Sequence, residues 1–354
     1  VWIMAYTSID NPELYFQTEL WTGDQSENAR TLDGSEDMQP DLVWVKGRSF
    51  ADTGGIFDSV RTATKLLIPS ATTAESTVAE SLKSFDSDGF TMGTESALNK
   101  SSNTMVAWCW KAGGSASAHT DGTIDTSRSA NTTAGFSIAT YTGNSTNGAT
   151  RGHGLGVVPH FIIVRNRTDG VKWYVYHHKN TAAPETDYLE LNADSATTDQ
   201  AGWNDTAPTS TLVTTSDGSE VNASSKNYVM YSWTGIQGFS KFGSYEGNGN
   251  ADGPFVYTGF RPAMVILKKT SGTGGWYTYD IKRPGRNNEN GYLQADTTSA
   301  EDTNSGNFGF DILSNGFKLR GTYTTINESG GTFVYMAWAE QPLVNSKGVP
   351  NNAR

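Results

Sequence analysis

Apolar residues along the chain fall in short runs rather than at helical spacing. Three of these runs follow a proline and end in a cation, at residues 40–46, 159–165 and 262–268. Runs of this kind, bounded by turn residues, predict central strands that are covered on both faces. Apolar and polar residues alternate over residues 13–20, which predicts an opening strand before the first run.

The same pattern occurs three times. An aromatic residue, Thr or Glu, Gly, and Asp or Asn stand in that order at residues 21–24, 141–144 and 245–248. Each copy continues through a proline-led run and closes with an Asn-x-Ser turn before an aromatic strand, and these turns begin at Asn99, Asn222 and Asn327. A period of more than one hundred residues exceeds that of solenoid repeats, so it predicts that each copy is a small domain with its own core.

The boundaries of these domains follow from composition. We assign residues 1–112 to the first repeat, 113–134 to a Gly/Ser/Thr-rich linker, 135–236 to the second repeat, and 237–354 to the third repeat with a C-terminal tail. The linker composition predicts a flexible or extended connector. Almost nothing separates the second and third repeats, so we expect those two to abut and the first to stand more independently.

Turn signals and composition predict the fold class. Asp-Gly or Asn-Gly pairs at residues 88–89, 217–218 and 315–316 carry the signal of a two-residue hairpin. Aromatic residues make up 11% of the chain and glycine occurs 38 times, as in proteins built from many short strands. We therefore predict an all-β protein of three tandem antiparallel β-sandwich modules. One short surface helix is predicted over residues 71–83.

Charge and cysteine content exclude several classes of function. A net charge of -11 argues against partners that are nucleic acids or anionic membranes, since both bind through Lys and Arg. No run is long enough to insert in a membrane, and the N-terminus lacks the pattern of a signal peptide, which predicts synthesis in a cytoplasm. The single Cys109 lies in a predicted strand and is expected to be a buried thiol without a disulfide.

Candidate catalytic and metal-binding groups do not recur between the repeats. All five histidines lie between residues 119 and 178, and we interpret them as surface or turn residues. His177 and His178 are neighbours in a predicted strand and should point to opposite faces. Asp86 to Gly89 is interpreted as a hairpin turn rather than a calcium loop. We assign no catalytic, cofactor-binding or metal-binding residue, and no cofactor.

Two matching aromatic strands in the second and third repeats are the candidate binding or interface residues. Alternation puts their side chains on both faces of each strand, so at least one face should be core. The alternative is a platform for sugar rings or a subunit interface. The six residues are Trp173, Tyr174, Tyr176, Trp276, Tyr277 and Tyr279.

Longer motifs resemble a family of bacteriophage repeat proteins that are described as virion structural or tail-fibre-like proteins. The motifs are residues 4–12, 39–46, 57–61, 107–114 and 348–354. Members of that family are similar to concanavalin-like sandwich domains, so the resemblance implies a concanavalin-like or jelly-roll form for each module. In such proteins the start resembles Met4 onward, which makes Val1 to Ile3 an extension.

The resemblance implies a non-enzymatic virion protein that is made in the bacterial host cytoplasm. We expect it on a tail fibre or other exposed appendage, as a homo-oligomer among other virion proteins, with a trimer favoured by analogy with fibres and with host-surface glycan as a further partner. The alternatives are a polysaccharide-degrading enzyme of the virion, which would need two carboxylates in a groove, and a capsid decoration protein.

Overall fold

The computed structural model describes residues 6–283, 291–303 and 308–351. Over these residues the protein is all-β, and its strands pair antiparallel in several sheets. The proposed extension Val1 to Ile3 and the last three residues lie outside the described residues.

The elements are named here in chain order, repeat by repeat. The first repeat contains a 3-10 turn at Pro12–Leu14, β1 (Phe16–Thr22), β2 (Asn28–Arg30), β3 (Leu42–Gly47), β4 (Gly55–Asp58), β5 (Lys65–Leu66), β6 (Ser76–Thr77), β7 (Leu82–Asp86), β8 (Gly89–Met92), α1 (Ser96–Asn99) and β9 (Thr104–Trp110). The linker and second repeat contain β10 (Ser117–His119), β11 (Thr126–Asn131), β12 (Phe136–Thr142), β13 (Ala149–Gly152), β14 (Phe161–Asn166), β15 (Tyr174–His177), a 3-10 turn at Pro184–Thr186, β16 (Asp187–Glu190), β17 (Thr198–Asp199), β18 (Leu212–Thr215) and β19 (Asn227–Trp233). The third repeat contains β20 (Ser240–Glu246), β21 (Phe255–Tyr257), β22 (Phe260–Lys269), β23 (Trp276–Asp280), β24 (Leu293–Gln294), β25 (Phe310–Leu313), β26 (Gly316–Leu319), α2 (Thr324–Asn327) and β27 (Thr332–Pro342).

Each repeat forms one large sheet with the same strand order. The orders are β1-β9-β3-β4 in the first repeat, β12-β19-β14-β15-β16-β17 within the eight-stranded sheet of the second, and β20-β27-β22-β23-β24 in the third. A smaller sheet accompanies each large one, namely β2-β8-β7, β13-β18 and β21-β26-β25. The proline-led runs form the central strands β3, β14 and β22, and every residue in them is buried, which confirms the prediction of strands covered on both faces.

Three local predictions differ from the structure. Residues 71–83 form no helix, because Thr72, Thr73 and Ala71 turn their carbonyls outward to accept hydrogen bonds from Arg165 and Trp173 of the second repeat. The hairpin signal is confirmed between β7 and β8 and between β25 and β26, but not at residues 217–218, where the chain turns directly toward Asn222. The segment expected to be a linker supplies β10 and β11, which extend the edge of the second large sheet beyond β12.

In each repeat the Asn-x-Ser turn and the loop with the Gly-Asp or Gly-Asn pair lie side by side and are hydrogen-bonded to each other. Asn99, Asn222 and Asn327 are fully buried, and each side chain bonds the loop that carries the Gly-Asp or Gly-Asn pair of its own repeat. In the second repeat the amide group of Asn222 donates to Thr146 O at 2.9 Å while its oxygen accepts from Asn144 N at 3.0 Å. A side chain on the signature glycine Gly143 would place Cβ 2.2 Å from a backbone oxygen. The signatures therefore serve the fold.

The hydrophobic core departs from the expectation of three separate cores. Two clusters lie within single repeats, one in the first and one in the second. The largest cluster joins the facing sides of all three large sheets. At its centre the equivalent residues Trp110, Trp233 and Trp338 pack together, with ring centroids 5.2 to 6.3 Å apart. The sheets are thus buried on one face by their own repeat and on the other by its neighbours.

One set of three equivalent polar contacts between repeats follows one direction around a closed ring. The cations that end the proline-led runs are buried and donate to a loop of the preceding repeat: Lys46 Nζ to Thr297 O at 2.7 Å, Arg165 Nη2 to Thr72 O at 2.8 Å, and Lys268 Nζ to Ser195 O at 2.7 Å. Burial lowers the pKa of each lysine to about 8. The first repeat contacts the third, the second contacts the first and the third contacts the second, so these head-to-tail contacts close a ring. The first repeat therefore packs against both others, and the expectation that it is more independent is wrong.

Buried ion pairs reinforce two of the three junctions. Glu75 joins Arg61 of its own repeat to Arg167 of the second repeat, with all three nitrogen–oxygen distances at 2.8 Å. In the same way Glu301 joins Arg283 of the third repeat to Arg48 of the first, at 2.7 Å each. At the third junction Thr197 Oγ1 donates to Asn180 Oδ1 and Thr197 N donates to Thr270 O, beside the contact of Lys268 with Ser195 O.

Candidate functional site

The six predicted aromatic residues are buried, so they form no exposed platform for sugar rings. Their exposed fractions are 5% or less. Alternation is confirmed in the second repeat, because Trp173 belongs to the shared core and Tyr174 and Tyr176 to the core of their own repeat. The indole N–H of Trp173 donates to Ile68 O in the first repeat, and that of Trp276 to Glu190 O in the second. These aromatic residues thus pack in the core and between repeats of one chain.

The histidines are more buried than the surface or turn interpretation predicts. His153 and His177 are fully buried, and burial lowers the pKa of both. His177 and His178 do not point to opposite faces as predicted, because their ring centroids lie only 5.4 Å apart. His177 Nε2 donates to Tyr335 O and His178 Nε2 donates to Phe242 O. Strand β15 ends at His177, so alternation along the strand does not extend to His178. Both acceptors belong to the third repeat, which is why sequence alone gave no reason to bury these rings.

An open cleft of about 800 Å³ lies where the second repeat meets the third. Its floor is β20, an edge strand, and its outer wall is β21. Phe255 and Tyr257 alternate with buried Val256 on β21, so their rings share one face and remain 45% and 46% exposed. His160 and His178 form the opposite wall. A cleft of this volume that exposes aromatic rings beside polar side chains is typical of a ligand site.

The two histidines of the cleft are neutral and have fixed tautomers. His160 Nδ1 accepts a hydrogen bond from Gly235 N at 2.9 Å, so the proton of His160 lies on Nε2. His178 Nε2 donates to Phe242 O at 2.9 Å, which leaves its Nδ1 as an acceptor. The rings stack with centroids 4.2 Å apart. Burial, with His178 and Lys179 nearby, lowers the pKa of His160 to about 4.

Charge in the cleft is of one sign. Lys179 and Lys241 line it, and no Asp or Glu lies among the described residues of its wall. Lys241 Nζ donates to Tyr257 O at 2.7 Å and lies 5.2 Å from the centre of the Tyr257 ring. Within residues 6–283, 291–303 and 308–351, neither ammonium group forms an ion pair with a carboxylate.

The equivalent positions at the other two junctions are closed. In the first repeat Asp41 and Ser59 stand where His160 and His178 stand in the second, and they bond each other at 2.7 Å. Asp41 also accepts from Ala112 N. In the third repeat the positions are occupied by Ala263 and Ile281, which line only a space of about 30 Å³. Packing of the ring therefore does not require an open cleft or a histidine pair.

Comparison with known proteins places the chain in a family. A family model described as a domain of unknown function, DUF7483, matches residues 11–342. The chain belongs to this family. No curated protein and no solved structure matched it.

Among the described residues, no helix is both long and apolar enough to cross a membrane. The same residues contain no group of three or more His, Cys, Asp or Glu side chains arranged to hold a metal ion. Asp86 and Asp88 lie at the β7–β8 hairpin, as the turn interpretation predicts.

Sequence reasoning missed the cleft because its two walls are distant in the chain. The aromatic wall comes from residues 255–257 and the histidine wall from residues 160 and 178. One signal was present, since His160 follows the proline at a position where the other repeats have Asp41 and Ala263. Because the three repeats carry different residues at this position, the fold that they share does not require a particular residue there.

Proposed function

We propose that the chain is a non-enzymatic structural protein of a bacteriophage virion, carried on a tail fibre or other exposed appendage, and that it contacts host-surface glycan through the cleft between its second and third repeats. The cleft is the observation that carries the binding part of this proposal. Exposed rings beside neutral hydrogen-bonding groups suit sugars, whose C–H faces pack on aromatic rings while their hydroxyl groups donate and accept.

The finer fold assignment belongs to the same proposal. We infer that each large sheet and its smaller companion form one antiparallel β-sandwich module, concanavalin-like or jelly-roll in form, and that three such modules follow one another along the chain. The recurring sheet orders and the buried asparagine in every repeat support this inference. The ring of repeats would hold the cleft between the second and third repeats in a fixed geometry.

The virion part rests on the sequence resemblance and needs a direct test. Particles of the phage that encodes this chain would be purified by density gradient and analysed by mass spectrometry, and an antibody against the chain would locate it by electron microscopy. We expect the chain in the particles at stoichiometric amounts and gold label on the tail appendage. A chain found only in the infected-cell lysate would overturn the proposal, and label confined to the capsid would favour a decoration protein.

Oligomeric state is a separate part of the proposal. By analogy with fibres we propose a trimer of the 38.2 kDa chain. The internal ring uses the inner faces of all three large sheets, so a trimer would have to form through outer surfaces. Sedimentation equilibrium of the purified chain tests this, and a mass of one chain at micromolar concentration would remove the trimer.

The rival enzyme function is tested by the same cleft. Glycosidases of the common type use two carboxylates, and the described lining of this cleft contains none. Incubation with bacterial surface polysaccharide should release no reducing ends. Release that is lost on replacing a cleft residue would overturn the non-enzymatic proposal.

A further inference from the structure

The charge of the cleft is unlike that of the whole chain. The protein carries a net charge of -11, yet the only charged side chains on the described wall of the cleft are Lys179 and Lys241. Two cations without a carboxylate partner attract an anion, because their potential is not cancelled locally. A neutral sugar could accept hydrogen bonds from these lysines but would leave their charge uncompensated.

Lys241 is the better placed of the two cations. Its ammonium group lies beside the Tyr257 ring and uses one of its three protons on Tyr257 O at 2.7 Å. Burial lowers the pKa of Lys241, which indicates that its charge is incompletely compensated in the protein alone. An anionic group bound beside Tyr257 would supply the missing partner.

The remaining walls suit a sugar ring rather than a bare anion. Phe255 and Tyr257 offer two exposed rings on one face, and the opposite wall offers the Nε2–H donor of His160 and the Nδ1 acceptor of His178. A sugar hydroxyl can accept from the first and donate to the second. A small inorganic anion would leave these aromatic and neutral groups without a role.

We propose that the cleft binds a carboxylate-bearing sugar, such as a uronic acid unit of an acidic polysaccharide, with its ring against Tyr257, its carboxylate toward Lys241 and its hydroxyl groups toward His160 and His178. This assignment deepens the proposed glycan contact and rests on it. The edge strand β20 could instead pair with an extended acidic peptide, which would use backbone hydrogen bonds and no ring stacking. The aromatic rings and the histidine pair favour the sugar.

The test is isothermal titration calorimetry, which measures the affinity of the full chain for four probes of similar length. The probes are an oligogalacturonate, a neutral oligogalactoside, a sulfated oligosaccharide and oligoglutamate. We expect the oligogalacturonate to bind at least tenfold more tightly than the neutral probe, with affinity falling as salt rises. Equal affinity for the neutral probe would overturn the role of charge. Tighter binding of the sulfated probe would overturn the carboxylate assignment, and tighter binding of oligoglutamate would show a peptide site.

Variants locate the binding and separate this inference from the proposed function. Lys241→Gln should weaken oligogalacturonate binding by roughly tenfold to a hundredfold, the range for loss of one hydrogen bond to a charged group. Tyr257→Ala, which removes the aromatic ring contact, should weaken it by roughly tenfold. The matched controls are Lys347→Gln and Tyr323→Ala, an exposed lysine and a tyrosine that is 45% exposed, both outside the cleft, and they should bind like the parent. Controls that weaken binding as much as the cleft variants would overturn the location.

Failure of the two proposals can be told apart. If no sugar binds while the chain is present in purified particles, the cleft assignment fails and the virion assignment stands. If the oligogalacturonate binds through Lys241 and Tyr257 but the chain is absent from particles, the cleft assignment stands and the virion assignment fails.

Discussion

Replacing Glu75 with Gln should destabilise the whole chain. The Glu75 carboxylate accepts bonds from Arg61 and Arg167 at 2.8 Å, so the change leaves two guanidinium groups facing each other across the junction of the first and second repeats. Arg61 is fully buried and keeps its partner Asp58, whereas Arg167 retains 20% exposure. Removing one partner from a buried ion pair costs about 3 to 5 kcal/mol, and the partial exposure of Arg167 places this case near 3 kcal/mol. That value is roughly a hundredfold change in the folding equilibrium.

Urea unfolding followed by tryptophan fluorescence measures this cost. With an m-value of about 3 kcal/mol per molar, the midpoint should fall by about 1 M. Because the core is shared, the variant should still unfold in a single transition. The equivalent change at the other charged junction, Glu301→Gln, should behave alike, since Glu301 joins Arg48 and Arg283 at 2.7 Å.

The control is a surface ion pair of similar chemistry. Glu27 is 59% exposed and lies 3.2 Å from Lys83, so Glu27→Gln should change stability by less than about 1 kcal/mol. If Glu75→Gln shifts the midpoint no more than Glu27→Gln, the junction does not depend on the buried pair and the reasoning is refuted.

Acid provides a second check on the same pair. Burial alone would raise the pKa of Glu75, but its bonds to Arg167 and Arg61 outweigh burial and lower the pKa below its usual value. A lowered pKa in the folded state means that the stabilisation is present above the unfolded pKa of about 4.3 and is lost as pH falls through the folded value. The parent and Glu75→Gln should therefore converge in stability in strong acid.

Three further predictions concern single positions. Asn222→Ala should cost about 2 to 3 kcal/mol in urea unfolding, because it leaves the groups that the buried side chain bonds without partners, whereas Asn227→Ala at an exposed position should change little. Stability should fall as pH drops from about 6.5 toward 4, because burial lowers the pKa values of the histidines of the second repeat in the folded state, to about 4 for His153, and the unfolded chain therefore takes up their protons first. His153→Gln should reduce the dependence of the free energy of unfolding on pH in this range. An unchanged pH dependence would contradict the prediction. Burial raises the pKa of Cys109, so the native thiol should resist a thiol reagent and react only on unfolding, and rapid labelling of the native protein would show that the thiol is accessible.

Much of the local structure could be predicted from the sequence. The proline-led runs are the central strands, and two of the three Gly hairpins are where the turn residues indicate. The opening strand exists but covers Phe16–Thr22 rather than residues 13–20, because the 3-10 turn at Pro12–Leu14 occupies its predicted start. These features depend on side-chain alternation and on glycine tolerating positive φ, which are properties of a few neighbouring residues. The predicted helix over residues 71–83 failed because its carbonyls bond Arg165 and Trp173, which lie far along the chain.

In the candidate site, too, local features could be predicted from the sequence and contacts between distant residues could not. Sequence alternation assigned Trp173 and Tyr174 to opposite faces of the strand. It could not show that both faces are buried, because the face that carries Trp173 is buried by a neighbouring repeat. His160 and Tyr257 gave no signal as a pair, because nothing in the sequence brings residues that far apart together. The cleft exists only where two repeats meet and one of three equivalent positions is left open.

The all-β class and the pattern repeated three times follow directly from the amino-acid sequence, because hydrophobic periodicity and turn chemistry are local. Closure of the three large sheets into a ring around Trp110, Trp233 and Trp338 depends on packing between repeats, since each sheet has a second apolar face that it cannot cover alone. Closure of the ring then sets which of the described side chains face solvent, and it brings Tyr257 and Lys241 together with His160 in one cleft.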